Sequence, residues 1–350
     1  MSKKLKRVCV CGHFGNGANL LNGQTVKTKI LADELVRQYG EDDVCTIDTH
    51  GGIKALLRLP FQIFSALRKC ENIVMLPAHR GVRVITPILT IENALFHRNL
   101  HYAIIGAWLP KMLENKKGLL KHLQKFDALY AETTTLKNSL EKLGLDNVAI
   151  MPNCKPLVPL DSKELNFDWT EPYRLCTFSR VMQEKGIEDA VEAVKRVNKE
   201  YNRVVFSLDI YGQVDEKQTE WFNNLKKTFP DYVMYKGMVD FDKSVNTLKD
   251  YFALLFPTRF YTEGVPGTII DAYAAGVPVI SAKWESFADV IDEGITGYGY
   301  EICNFNELVA LLKKIEKNSD CILEMKRDCH EKAREFIPKT AIVPLLLRME

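Results

Sequence analysis

Apolar positions along the chain fall into two alternating rhythms. Short apolar runs occur at Val8–Cys11, Val44–Ile47, Ile73–Leu76, His101–Ile105, Ala128–Tyr130 and Val148–Met151, and each reads as a strand. Between them lie longer stretches with the three-to-four-residue spacing of a helix. Gly23–Tyr39 carries that spacing through Val26, Ile30, Leu31 and Leu35. Ile53–Leu67, Val84–Phe96 and the lysine-rich Leu109–Lys125 follow, and then a helix that Thr133 or Thr134 caps and Gly144 closes. Repeated strand and helix units of this kind predict a parallel sheet with helices on both faces. Residues 1–155 form this first domain.

Residues 156–172 hold Pro156, Pro159 and Pro172 with charged positions between them, the composition of a linker. A second alternation then begins. Tyr173–Ser179, Phe206–Tyr211, Val233–Lys236, Ala253–Phe256 and Val277–Ser281 read as strands, and Ile187, Ala190, Val191, Val194 and Val197 mark a helix. Leu308–Ile315 and Ile322–Phe336 are helical by the same spacing, and Ala341–Arg348, after Pro338, is an apolar segment that needs burial. The expected fold class is therefore α/β, with two doubly wound domains at 1–155 and 173–337. A chain of 350 residues is long enough for both.

Charge and cysteines narrow the partners. Lys plus Arg is 47 and Asp plus Glu is 45, so a net +2 gives no reason to expect a nucleic-acid partner. The nine cysteines are odd in number and scattered without a C-x-x-C pair, which fits a reducing cytosol better than a disulfide framework or a zinc site. Met1–Arg7 is basic, but the apolar run after it is too short for a signal-peptide core, and no run is long enough to span a bilayer. The expected location is cytoplasmic.

Two stretches carry candidate chemistry. The first runs from Pro257 to Ile280 and reads as a strand end, a loop with Glu263 and Gly264, and a helix that starts near Pro266 with Gly267 and Thr268 in its first turn. A helix start points N–H groups and the positive dipole end into the loop, where an anion such as a diphosphate is favoured. Glu263 cannot bind that anion; its carboxylate suits sugar hydroxyls or a developing positive charge. The alternative is a plain strand, loop and helix whose glycines only make turns. The second stretch, Phe178–Ile187, places Arg180 and Lys185 five residues apart at the carboxyl end of a strand, where phosphates bind in α/β sheets. Solvated surface charges are the alternative there.

These residues resemble the donor-site signature of glycosyltransferase family 4, the group 1 transferases. That pattern is a Glu, seven residues, a second Glu and a Gly-x-Pro-Val exit. Here Glu263, seven residues, Asp271 and Gly276-Val277-Pro278-Val279 stand in its place, with the second acid one methylene shorter. Phe178–Ile187 is similar to the family's Gly-Arg-Leu-x-x-x-Lys-Gly stretch, with Ser179 where Gly often stands. The resemblance implies a GT-B fold of two Rossmann-like domains facing a cleft, with a C-terminal helix, 338–350, returning to the first. It implies a retaining, metal-independent transfer from a nucleotide-diphosphate sugar, UDP- or GDP-linked, to an acceptor hydroxyl in surface-polysaccharide or glycoconjugate synthesis, with no separate cofactor.

By the same resemblance, Arg180 and Lys185 hold the diphosphate in place of a divalent metal, Gly264, Gly267 and Thr268 meet the phosphates, and Asp271 faces the ribose. Gly212 lines the donor cleft, the Tyr235–Val239 segment meets the base, and Gly15 and Gly17 lie in a loop toward the cleft. Many members carry a His at the end of the fourth strand, a position that Gly106 occupies here; His79 and His101 are the nearest alternatives, His79 the first choice. A sugar or lipid-linked saccharide is the expected acceptor. The lysines of Leu109–Lys125 are either a peripheral membrane contact or a solvated helix face. Two other functions stay open: a non-catalytic sugar-nucleotide-binding subunit that partners a transferase, and a nucleotide-sugar epimerase of the same fold.

Overall fold

The structure, a computed structural model, describes residues 4–17 and 23–350, so Met1–Lys3 of the basic start lie outside it. The chain divides into two compact units, residues 1–156 with 336–350, and residues 157–335.

The first unit is built on strands β1 (Lys6–Gly12), β2 (Val44–Asp48), β3 (Cys70–Leu76), β4 (Asn99–Ala103), β5 (Ala128–Ala131) and β6 (Val148–Ile150). They form one parallel sheet in the order β2-β1-β3-β4-β5-β6. Helices α1 (Gly23–Tyr39), α2 (Gly52–Lys69), α3 (Val82–Glu92), α4 (Leu109–Leu113), α5 (Lys117–Leu123) and α6 (Thr134–Glu141) connect them. Alternation along each strand separates two cores. Cys9 and Cys11 face α2 and α3 through Leu59, Ile63 and Leu89, while Val8 and Val10 face α1 through Leu31 and Leu35. Thr133 caps α6 by accepting from the Leu136 N–H at 3.2 Å.

The second unit repeats the plan with β7 (Tyr173–Phe178), β8 (Phe206–Tyr211), β9 (Val233–Gly237), β10 (Ala253–Phe256), β11 (Val279–Lys283) and β12 (Gly297–Glu301). Its parallel order is β12-β11-β10-β7-β8-β9. Helices α7 (Ile187–Tyr201), α8 (Thr219–Lys226), α9 (Ser244–Leu248), α10 (Gly267–Ala274), α11 (Phe287–Val290), α12 (Phe305–Lys317) and α13 (Asp320–Lys332) cover it. The predicted apolar spacing of α7 is its buried face, Ile187, Ala190, Val191, Val194 and Val197. Two short helices, α14 (Pro338–Ala341) and α15 (Val343–Met349), end the chain. Ile342, Leu345 and Met349 bury into the Val8 and Val10 core of the first unit, which is where the terminal apolar segment finds its burial.

In each unit the strand order reverses beside the first strand. β1 lies between β2 and β3, and β7 lies between β8 and β10. Helix crossovers leave in opposite directions at such a switch point, which opens a crevice at the carboxyl ends of the two strands.

Candidate functional site

The switch point of the second unit collects most of the residues singled out from sequence. Lys185 follows β7 in a single turn of 3-10 helix, Gln183–Lys185, and Glu263 follows β10. Lys185 Nζ pairs with Glu263 Oε1, each side chain 18% exposed. Thr258 Oγ1 donates to the same carboxylate oxygen at 3.1 Å. The rings of Phe256 and Phe260 lie 5.5 and 5.1 Å from the ammonium, giving it aromatic faces as well as a counter-charge.

Close backbone contacts join the two loops. Gly186 has φ +68°, and a Cβ there would collide with the Pro257 carbonyl. Arg259 N–H donates to the Glu184 carbonyl at 2.9 Å, and its guanidinium grips both oxygens of Asp189 at 2.9 and 2.7 Å. Thr268 donates its hydroxyl to the Phe178 carbonyl, tying the start of α10 to the end of β7. Pro266 stands at the N-cap of α10, and no side chain caps the helix there. Gly267 and Thr268 thus open an eight-residue helix that begins four positions after Glu263 and is held by Thr268 to the end of β7.

Other candidates surround this pair. Arg180 is half exposed and reaches Asp215 at 3.5 Å. Gly212, at φ +130°, presses its α-carbon against the Ser179 carbonyl, where a Cβ would clash. Its N–H donates to the Gly237 carbonyl at 2.8 Å and its carbonyl accepts from the Tyr235 hydroxyl at 2.8 Å, so the turn and the Tyr235–Val239 segment form one surface. Gly264 is buried in the loop between Glu263 and α10. Asp271, the expected ribose-facing acid, lies in the first turns of α10. It is 2% exposed, and its Oδ1 accepts from Ser244 of α9 at 2.9 Å.

The switch point of the first unit holds Gly15 and Gly17 after β1 and His79 after β3. His79 is exposed, with its ring 5.2 Å from Trp108. His101 is a core residue of β4: fully buried, it meets the Tyr130 hydroxyl at 3.1 Å and Asn72 at 3.2 Å. Burial, with Arg348 adding repulsion, pushes its imidazole down to about 4, so it is neutral. Gly106 presents only a turn with φ +72°.

Residues that no local pattern marked organise this edge. Asp48 accepts N–H bonds from Phe14 at 2.9 Å, Asn16 at 2.9 Å and His50 at 2.8 Å, shaping the glycine loop. Burial draws its carboxyl upward, but those donors outweigh it and hold the group below the usual range. His13 joins Thr25 at 2.8 Å and His50 at 3.1 Å. Lys27 Nζ is buried against Glu132 at 2.5 Å and the Ile104 carbonyl at 2.9 Å. Their partners lie on different strands and loops, so spacing along the chain gave no signal.

Leu109–Lys125 is two helices. Met112, Leu113 and Leu123 are buried, and Lys111, Lys116, Lys117, Lys121 and Lys125 are exposed. Among the described residues no group of three His, Cys, Asp or Glu side chains is arranged around a metal position.

The family described as Glycosyl transferases group 1 matches residues 161–336, half of the 350-residue chain and nearly all of the second unit. The chain belongs to the group 1 glycosyl transferases. The capsular polysaccharide biosynthesis glycosyltransferase CapM of Staphylococcus aureus is 30% identical over 142 residues, covering 39% of this chain. That match spans about a third, 34%, of the curated relative. Among solved structures, HepE of Anabaena in complex with UDP superposes with a TM-score of 0.74 at 12% identity, over 98% of this chain and 99% of that one. A glycosyltransferase of Rickettsia africae gives 0.72 at 16% identity, over 99% and 98%. This group 1 transferase chain therefore has the α/β, GT-B class of fold expected from its sequence.

Proposed function

We propose that the chain is a retaining glycosyltransferase that moves a sugar from a nucleotide-diphosphate sugar to an acceptor hydroxyl without a metal ion. The observation that carries this reading is the Lys185–Glu263 ion pair at the switch point, beside the uncapped start of α10. A lysine, an arginine and a helix N-terminus around one crevice suit a diphosphate, and the UDP complex of a structural relative favours UDP as the nucleotide. Gly264, Gly267 and Thr268 would meet the phosphates, and Gly212 with Tyr235–Val239 the nucleoside.

The ion pair also supplies a mechanism. An arriving diphosphate competes with Glu263 for Lys185, and the freed carboxylate accepts hydroxyl donors of the sugar or faces the positive charge that grows at its anomeric carbon. Lys185 and Arg180 stabilise charge on the leaving diphosphate. The acceptor hydroxyl attacks from the face the diphosphate leaves, and a diphosphate oxygen takes its proton, so positioning replaces a protein base. In the first unit, Gly15 and Gly17 are the candidates for donor binding and His79 for catalysis. The family and the CapM relative favour a saccharide acceptor of surface-polysaccharide or glycoconjugate synthesis, with a lipid-linked one as the specific candidate.

The test is nucleoside-diphosphate release from UDP- and GDP-sugars in EDTA, with the anomeric configuration of any product read by NMR. Retained configuration and release without metal support the reading. Release that requires added metal, or an inverted product, contradicts it. A binding-only subunit would take up donor and release nothing, and an epimerase would change the sugar without acceptor.

A further inference from the structure

Helix α2 is apolar on more of its circumference than the core covers. Leu59, Ile63, Ala66 and Leu67 are buried. A second apolar stripe faces outward: Ile53 is 76% exposed, Leu57 69% and Phe61 79%, with Phe64 beside them. Spacing of three to four residues puts those four on one line along the helix. Phe64 meets Phe96 edge to face at 5.1 Å, which links the stripe to the turn after α3. Ile91, 67% exposed, and Leu95, 74% exposed, extend it there. Single exposed leucines are ordinary, but a continuous run of this length on a folded surface marks a contact.

Charge indicates what the contact is with. The sequence of α2 has no acidic residue, and Lys54, Arg58, Arg68 and Lys69 are all exposed along the border of the stripe. The acid of α3, Glu92, is partly buried, and burial pulls its carboxyl upward, toward neutrality. Pairing two copies through this face would bring the cations of one helix toward those of the other. Anionic headgroups would meet the same cations while the apolar stripe enters the acyl boundary. No helix of the described residues is long and apolar enough to cross a membrane, so such a helix would lie in the interface.

We propose that the outward face of α2, together with Ile91 and Leu95, docks on the surface of an anionic lipid bilayer. The lysines of α4 and α5 are not this surface, because the apolar residues beside them point into the core. α2 begins at Gly52, just past Asp48 and His50 at the carboxyl end of β2, so the docked helix brings that edge of the sheet to the headgroups. A lipid-linked acceptor would then arrive where the loops after β1 and β2 lie; this consequence rests on the transferase reading, whereas the docking does not.

The experiment is flotation of the full chain with vesicles of phosphatidylglycerol and phosphatidylethanolamine, and with phosphatidylcholine alone. The chain is expected to float with the anionic vesicles and to stay down with the neutral ones. The Leu57→Ser/Phe61→Ser variant and the Arg58→Glu/Lys69→Glu variant should each lower the bound fraction roughly tenfold, whereas Lys117→Ser/Lys121→Ser should float like the native chain. Melting temperature and the shift produced by donor nucleotide should match the native chain in every variant, which separates failed docking from a failed donor site. No flotation of the native chain overturns the proposal, as does flotation of the Leu57→Ser/Phe61→Ser variant equal to native. A native dimer in light scattering that becomes monomeric in that variant would assign the face to a second copy instead.

Discussion

Lys185 and Glu263 are 78 positions apart in the chain and meet as an ion pair across the β7–β10 switch point. Each charge is the other's main neutralising partner in a pocket edged by Phe256 and Phe260. An incoming diphosphate therefore competes with a carboxylate already in place, and the exchange releases that carboxylate at the spot where the sugar follows.

Removing either partner should stop transfer without unfolding the protein. Lys185→Ala and Glu263→Ala are each expected to lower turnover by about a hundredfold to a thousandfold, the usual loss when one preorganised electrostatic group is deleted. Steady-state kinetics with circular dichroism on the same samples checks this. Near-native turnover in both variants would refute the assigned roles.

Gly186 tests the join between the two loops. Its positive φ and its contact with the Pro257 carbonyl leave no room for a side chain. Gly186→Ala should cost about 1–3 kcal/mol of stability and displace Lys185 from Glu263. Chemical denaturation should show the loss, and donor affinity should fall with it. An alanine variant with native stability and affinity would contradict the packing argument.

His101 predicts a pH effect that is structural. Its folded value is about 4 against an ordinary 6.5, so between those values the unfolded chain binds a proton that the folded chain does not. Stability should thus fall as pH drops from 6.5 toward 4, by about 3 kcal/mol from this group alone. Denaturation curves of the native chain and of His101→Asn across that interval read the difference. A variant with the same pH slope as the native chain would exclude His101 as the source.

Ser244→Ala separates two roles for Asp271. If the carboxylate anchors α9, losing the 2.9 Å bond from Ser244 should lower stability by about 1 kcal/mol and leave the Michaelis constant for donor close to native. A large rise in that constant with unchanged stability would favour a ribose contact.

Much of the fold was legible because strands of a parallel sheet are buried on both faces and appear as apolar runs. Val8–Cys11, Phe206–Tyr211 and Ala253–Phe256 are such runs, and each is a strand in the structure. β12 escaped, since Gly297-Tyr298-Gly299-Tyr300-Glu301 offers no run and is fixed by its neighbour β11. The short α8 and α9 also gave little periodic signal. The exposed stripe of α2 was hidden for a different reason: periodicity shows that a residue lies on an apolar line, and only packing decides which line the core takes.

Local motifs likewise placed Lys185, Arg180 and Glu263 at loop ends but could not show that two of them touch. That contact comes from strand order, which brings β7 beside β10. The same limit applies to Asp48 and His13, whose partners come from separate loops. Asp271 could be read from the signature as a ribose ligand or as a structural acid, and its burial against Ser244 of α9 comes from the packing of α9 on α10, which no spacing revealed.

The most direct test of the donor site is a thermal-shift series of the native chain and Lys185→Ala with UDP, GDP and their sugars in EDTA. One nucleotide is expected to raise the native melting temperature, since a ligand that binds only the folded state stabilises it, and the shift should disappear in Lys185→Ala. An equal shift in both proteins would contradict the placement of the diphosphate at the Lys185–Glu263 pair.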